Sequence, residues 1–357
     1  MAPGSGPGLP EPAACWNARL AGTLGLVEPV AGRLPSVDRQ RLVGVGLVLV
    51  SAASFGSGAL FAKPVYAAGV GWLTLLAWRF LIGSALSWAW LALSAERRAG
   101  LRALSRRRVA AALGLGLVYL GNSGTYFAGL ETVSASLAAL IIYIYPALVA
   151  VLSIRVGHRL VGRRPWIALA MALGGVTLAL GGIPTGAMPP GLGLAEIIAS
   201  PFIYAVWIVL SARFSGERPD RVGAQADEGA STAGATALMM TATVVGFWAL
   251  APVVGQPVLP GAVPAAAWPG ILGIGIISTF LSIQTFYAGT LRIGAAQASL
   301  ISTFEPVWTI TLAGLLFGEH LGPIQMVGAV LVIGGVLVAQ SAPPTIGRGV
   351  TLRVADE

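Results

Sequence analysis

Charge is the scarcest property of this sequence. Of its 357 residues only 10% are charged, against about 25% in ordinary soluble domains. So few charges cannot clothe a soluble surface, and a mean hydropathy of +0.81 excludes a cytosolic globule. One cysteine, Cys15, rules out an internal disulfide and a thiolate metal cage. Two histidines, His158 and His320, are too few for a metal or haem site of familiar type, so no cofactor is expected. There is no GxxxxGKS or GxxxxGKT run, hence no ATP-driving P-loop, and no HExxH. The shortage of His, Asp and Cys argues against a membrane-embedded enzyme, and no enzymatic step is expected.

Apolar sequence is what the chain has in abundance, at 56% hydrophobic residues. Ten apolar stretches run approximately over 43–62, 70–93, 109–129, 134–154, 166–183, 191–212, 235–254, 267–290, 297–317 and 323–340. Ten membrane spans of about 20 residues use about 200 residues, which the chain accommodates. Gly and Ala within the stretches suit close helix contact in lipid. Trp72, Trp166 and Trp268 fall near span ends, where indoles favour the headgroup layer. Residues 1–40 are rich in Pro, Gly and Ala without periodicity. They read as a disordered cytoplasmic tail and not as a secretory signal. Residues 341–357 read as a second cytoplasmic tail.

The net charge of +8 comes from clusters between the stretches, which orientation in a bilayer explains better than nucleic acid does. With the N-terminus inside, Arg19, Arg33, Arg39 and Arg41 precede the first span. Arg97, Arg98, Arg102, Arg106, Arg107 and Arg108 fill the next inside loop, and Arg155, Arg159, Arg163 and Arg164 the one after span four. Arg213, Arg218 and Arg221, then Arg292, then Arg348 and Arg353 complete the inside set. Lys63 alone lies outside, and Arg79 is within span two. This asymmetry supports an even number of spans with both termini cytoplasmic.

The chain also repeats itself. A shift of 160 places Ala128-Gly129 on Ala288-Gly289, Ala135 on Ala295, Ala138 on Ala298, Leu140-Ile141 on Leu300-Ile301, Pro146 on Pro306 and Leu152 on Leu312. Each copy holds five spans, an odd number, so the copies are expected to be inverted relative to each other. Inverted repeats place a substrate site near the bilayer midplane. The expectation is an all-α integral membrane protein with ten transmembrane helices in two inverted five-helix repeats, 43–183 and 191–340.

Several segments then resemble a known family. Thr285-Phe286-Tyr287-Ala288-Gly289 leads into Ala298-Ser299-Leu300-Ile301 and Glu305-Pro306-Val307-Trp308, followed by Phe317-Gly318-Glu319 and Gly334-Gly335. The first copy has Phe55-Gly56, Arg79-Phe80-Leu81 and Pro146. This pattern is similar to the repeat of the EamA family, in the drug/metabolite transporter superfamily. The resemblance implies a gradient-driven inner-membrane carrier, often an exporter of amino acids or other small metabolites. The chain departs from the pattern in its first copy, where Tyr145-Pro146 replaces acid–proline and Val156-Gly157-His158 replaces Phe-Gly-Glu.

Glu305 is the most informative residue, because an ionisable side chain near mid-span usually faces a cavity or a partner. Pro306 has no N–H, which leaves the carbonyl of Ser302 free, so acid and carbonyl together form a polar notch for a proton or cation. The competing reading is a structural acid hydrogen-bonded to another helix. Arg79 cannot discard its charge at depth and needs an anion. The candidates are Glu305, Glu196 or a substrate carboxylate gripped bidentately. Asn122, Tyr126, Tyr145 and Gln284 supply further polar groups at depth, while Tyr204, Trp207 and Trp308 could box an apolar or aromatic substrate. Each is also readable as packing between helices. Glu319 reads as a cap or interface residue at the outer end of span nine. Pro146 and Pro306 are expected helix kinks. The expected partners are a small-molecule substrate, protons and the bilayer, with no nucleic acid, in a monomer or homodimer. The alternative function is a flippase-like lipid-handling protein of the same fold.

Overall fold

The computed structural model describes residues 39–155, 163–183, 188–215 and 226–340. Cys15, His158, residues 1–38 of the first tail and residues 341–357 lie outside these residues. All regular structure among the described residues is helical. In chain order the helices are α1 (Arg39–Ala67), α2 (Trp72–Ala92), α3 (Ala95–Arg102), α4 (Arg106–Leu130), α5 (Ala135–Ile142), α6 (Tyr145–Arg155), α7 (Arg164–Gly181), α8 (Gly191–Ser215) and α9 (Ala226–Val254). After two short 3-10 turns come α10 (Trp268–Gly275), a π-turn (Ile276–Leu281), α11 (Ser282–Ile293), α12 (Ala295–Ser302), α13 (Phe304–Phe317) and α14 (Pro323–Gln340).

Among the described residues, six helical segments are long and apolar enough to cross a membrane: Arg39–Ala67, Trp72–Ala92, Gly191–Ser211, Thr232–Val254, Ala265–Ile293 and Gln297–Phe317. Ala135–Val149, Trp166–Gly181 and Pro323–Ala339 are shorter apolar helices. Local sequence sets several starts. Ser94, Ser105 and Ser134 each accept from the backbone N–H three residues on, capping α3, α4 and α5. The arginine-rich segment expected as a plain loop contains α3, whose Arg97 guanidinium lies 3.8 Å from the Trp90 ring centre.

Two stretches expected as single spans are each divided. Helix α5 ends at Ile142 and α12 at Ser302, in both cases four residues before a proline. Proline lacks the N–H that would bond the carbonyl four residues back, and its ring crowds that carbonyl, so the helix stops there. The two breaks stand 160 residues apart, the register of the sequence repeat.

Small residues let the helices approach closely. Helix α7 lies against α14, and Gly175 and Gly328 face each other there. A Cβ on Gly175 would come within 2.6 Å of the Gly328 carbonyl oxygen, so only glycine permits this contact. Helix α2 forms the centre, with Leu73, Leu75, Leu76 and Phe80 almost wholly buried and Phe80 stacked on Phe247 of α9 at 5.5 Å. Helix α9 in turn packs on α4, and α4 on α8.

Candidate functional site

The site grows from the break before Pro306. The carbonyl of Ser302, deprived of the proline N–H, lies 3.0 Å from the Tyr143 hydroxyl. The same hydroxyl lies 2.9 Å from Oε2 of Glu305. Tyr143 itself occupies the matching break between α5 and α6, so the two prolines place a phenol from one copy against an acid from the other. A phenol has a single proton to donate. With Glu305 ionised, that proton serves Oε2. With Glu305 protonated, the carboxyl donates to the phenol oxygen and the phenol donates to Ser302. The arrangement thus has two hydrogen-bonding states that differ by one proton, and only the protonated one also serves the Ser302 carbonyl.

Helix α1 closes one side of this notch. A Cβ at Gly56 would meet the Glu305 carbonyl oxygen at 2.9 Å and Thr309 Oγ1 at 2.7 Å. Glycine is therefore required for α1 to lie against the Glu305 turn. The Thr309 hydroxyl sits 2.9 Å from the Gly56 carbonyl, and Trp308 Nε1 donates to Ser57 Oγ at 3.0 Å. Trp308 consequently belongs to the α1 contact, with Phe304 beside it at 5.9 Å.

From Tyr143 an unbroken row of rings leads away. Tyr145 meets Tyr143 at 5.8 Å and Tyr204 at 4.7 Å, both edge-on. Tyr204 stacks on Trp207 at 5.6 Å, Trp207 meets Tyr119 at 5.3 Å, and Tyr119 stands edge-on to Phe80 at 5.8 Å. Such offset and edge-on pairs are the favoured aromatic geometries. Trp207 Nε1 is satisfied by the Leu115 carbonyl at 3.1 Å. The row therefore brings Tyr145 together with Tyr204 and Trp207, leaves Trp308 out, and adds Tyr143, Tyr119 and Phe80.

The row ends at Arg79, whose guanidinium carbon lies 5.0 Å from the Phe80 ring centre and 4.7 Å from that of Phe127. Arg79 is buried, and its Nε donates to Thr279 Oγ1 at 2.9 Å. Its hydrogen bond among the described residues goes to Thr279 rather than to Glu305 or Glu196, and the phenols of Tyr119, Tyr66 and Tyr126 stand near its charge. Tyr126 stands edge-on to Phe127 at 5.1 Å, the ring that also lies against the guanidinium.

The other expected residues separate into packing groups and rim groups. Asn122 is buried between α4 and α8, where its Oδ1 accepts from Ser200 Oγ at 2.8 Å. Gln284 is half-buried on α11. Glu196 is half-buried with Glu131 as its charged neighbour, which places it at the bundle end that is poor in arginine. Glu319 is at that end too. Its Oε1 accepts from Ala135 N at 3.0 Å, and its Oε2 from Ser136 N at 2.9 Å and Ser136 Oγ at 2.8 Å. Those are the free amides at the start of α5, so Glu319 caps a helix across the molecule. Lys63 holds the end of α4, donating to the Leu130 carbonyl at 2.9 Å and the Val133 carbonyl at 2.6 Å. Sequence reasoning missed Thr279 and the pairing role of Tyr143. The only signal for Tyr143 was its position one repeat away from Thr303.

Comparison with known proteins bears on the family and the fold. The model of the EamA-like transporter family matches residues 42–181 and again 191–340. The chain is 27% identical over 207 residues to the uncharacterized transporter YcbK of Bacillus subtilis (strain 168), a match covering 57% of this chain and 62% of that protein. It is 25% identical over 228 residues to an uncharacterized transporter of Archaeoglobus fulgidus, covering 64% of this chain and 75% of the relative. A solved crystal structure at 22% identity superposes with a TM-score of 0.55, covering 84% of this chain and 96% of its own. At that identity the likeness speaks for the fold alone. Two successive matches to one family model span most of the sequence, and the chain belongs to the EamA-like transporter family.

Proposed function

We propose that the protein is a gradient-driven secondary transporter that exports a small metabolite, an amino acid or related compound, across the inner membrane with protons as coupling partner. On this reading ten spans form two inverted five-helix repeats, 43–183 and 191–340, with both termini cytoplasmic. Rocking of the repeats exposes the midplane to each side in turn. Family membership, the arginine asymmetry and the two proline breaks one repeat apart support it. Pro146 and Pro306 shape the gates. Tyr126, Tyr145, Tyr204, Trp207 and Trp308 line the pathway, with Asn122 and Gln284 as its polar neighbours. The carrier performs no catalytic step.

One observation carries the coupling role: the Tyr143 hydroxyl lies within hydrogen-bond distance of both Glu305 and the Ser302 carbonyl. Gaining or losing one proton at Glu305 reverses the donor direction in this chain. Because Tyr143 and Glu305 belong to different repeats, the change acts across the interface that alternating access must rearrange.

Purified protein in liposomes tests this with amino acids, nucleosides, polyamines and cationic dyes, with and without an imposed pH gradient. The expected result is gradient-driven flux of one solute class in the wild type that loses its gradient dependence in Glu305→Gln. Coupled flux that survives unchanged in Glu305→Gln removes the acid from coupling. Absence of flux for every solute, together with movement of a labelled phospholipid, selects the flippase-like alternative.

A further inference from the structure

The connection between α2 and α4 carries cations that the protein itself does not use. Residues 93–108 hold six arginines against one acid, Glu96. Two of the six are spent inside the fold. Arg97 lies over the Trp90 ring at 3.8 Å and donates to the Trp90 carbonyl, and Arg98 donates to the Ala92 carbonyl. Both serve the last, otherwise open carbonyls of α2, where a cation is favoured. The guanidiniums of Arg102, Arg106, Arg107 and Arg108 are exposed, with neither hydrogen bond nor ion pair among the described residues.

The depth of these four groups follows from what is exposed beneath them. On α4, Leu113 is 38% exposed and Leu117 59%. On the neighbouring chain end, Trp90 is 39% exposed in the last turn of α2, and Leu93 follows at 80%. Such apolar side chains, open on both helices, mark the edge of the hydrocarbon. Arg108 and Leu113 are five residues apart, about 7.5 Å along the helix axis, which is about the depth of one headgroup layer. The free arginines therefore stand among headgroups. Arg106, Arg107 and Arg108 also fill a first turn that contains no acid. Cations there run against the helix dipole, so an anion from outside the protein relieves α4.

Helix α3 is fixed in place on its other side. It lies against α9, where a Cβ on Gly234 would come within 3.1 Å of Leu101. Helix α3 belongs to the first family-matched half and α9 to the second.

We infer that the α3–α4 junction is a docking surface for the phosphate headgroups of anionic phospholipids, held by Arg102, Arg106, Arg107 and Arg108. The planar guanidinium fork matches phosphate oxygens, and its weak hydration suits a half-desolvated interface. A zwitterionic headgroup brings its own cation and repels what its phosphate attracts. Lipid held here braces the contact between α3 and α9, and with it the junction of the two halves. The surface is independent of which solute the protein carries and of what drives it.

Thermal unfolding of the full chain in detergent micelles tests this, during titration with phosphatidylglycerol, phosphatidylcholine or inorganic phosphate. Phosphatidylglycerol is expected to raise Tm, while phosphatidylcholine and free phosphate leave it unchanged. About 1 M salt, where the screening length is about 3 Å, should suppress the response. Arg107→Gln should move the titration midpoint to about fivefold more lipid, the worth of one arginine at an anionic surface. Replacing all four arginines by glutamine should remove the response. Arg292→Gln is the control, because its guanidinium already donates to the Ala288 carbonyl at 2.6 Å and its side chain lies beside Gly44 of α1. Its midpoint should match the wild type. An equal response to phosphatidylcholine, a response reproduced by free phosphate, or an Arg292→Gln shift as large as that of Arg107→Gln would overturn the proposal. The single substitutions decide the matter even if the fourfold variant does not fold. No flux is measured, so failure here is distinct from failure of the Glu305 experiment.

Discussion

Glu305 and Glu319 stand at the two ends of helix α13, and both reach the same neighbour. Glu319 receives three hydrogen bonds from the start of α5. Glu305 meets a single phenol just past the end of α5. One carboxylate is over-determined: its charge complements the amide end of a helix and three donors point at it. The other is under-determined, with one donor that it shares with a carbonyl. A group held by three bonds cannot change state without a structural loss, while a group held by one bond can exchange roles with its partner. The pair therefore separates a clamp from a switch on one short helix.

Removing the clamp gives the largest expected effect. Glu319→Ala leaves two buried-side amides and a hydroxyl without acceptor, which should cost about 2–4 kcal/mol of stability. Glu319→Gln should recover only part of it, because an amide presents one acceptor oxygen and its NH2 faces other donors. Chemical unfolding in detergent measures both. A loss below about 1 kcal/mol in Glu319→Ala would mean that water caps α5 equally well, and the contrast with Glu305 would disappear.

The sequence made some of this contrast legible and hid the rest. The freed Ser302 carbonyl followed from Pro306 alone, because proline acts on its own turn. Glu319 was readable as a cap, but its target, Ala135 and Ser136, lies more than 180 residues away, and no local pattern encodes such a distance. Arg79 was readable as a charge in need of an anion. That its hydrogen bond goes to Thr279 is a fact of tertiary packing. The π-turn was wholly silent, since Ile276–Leu281 contains no glycine or proline to mark a widened turn. It accompanies contacts that Arg79 and Gly83 of α2 make with Thr279.

The middle-sized effect concerns the switch. Tyr143→Phe removes the hydroxyl from both Glu305 and Ser302 and should cost about 1–2 kcal/mol. Pro306→Ala restores an N–H at position 306 that can bond the Ser302 carbonyl, so the same tyrosine change should cost less in that background. The expected coupling in the double-mutant cycle is about 1 kcal/mol. Strict additivity would show that Tyr143 serves Glu305 alone, which would remove the carbonyl from the two-state description.

Lys63 supplies the smallest and most discriminating case. It sits at the same end of the bundle as Glu319 and feels that carboxylate, but its own bonds go to the Leu130 and Val133 carbonyls at the end of α4. A half-buried ammonium can be replaced there by water, so Lys63→Met should cost only about 0.5–1 kcal/mol. If clamping at this end depends on the capping carboxylate and not on a lysine–carboxylate pair, Lys63→Met and Glu319→Ala should add within about 0.5 kcal/mol. A larger coupling between them would recast the end of the bundle as one charged network, and Glu319 would then be half of a pair instead of a self-sufficient cap.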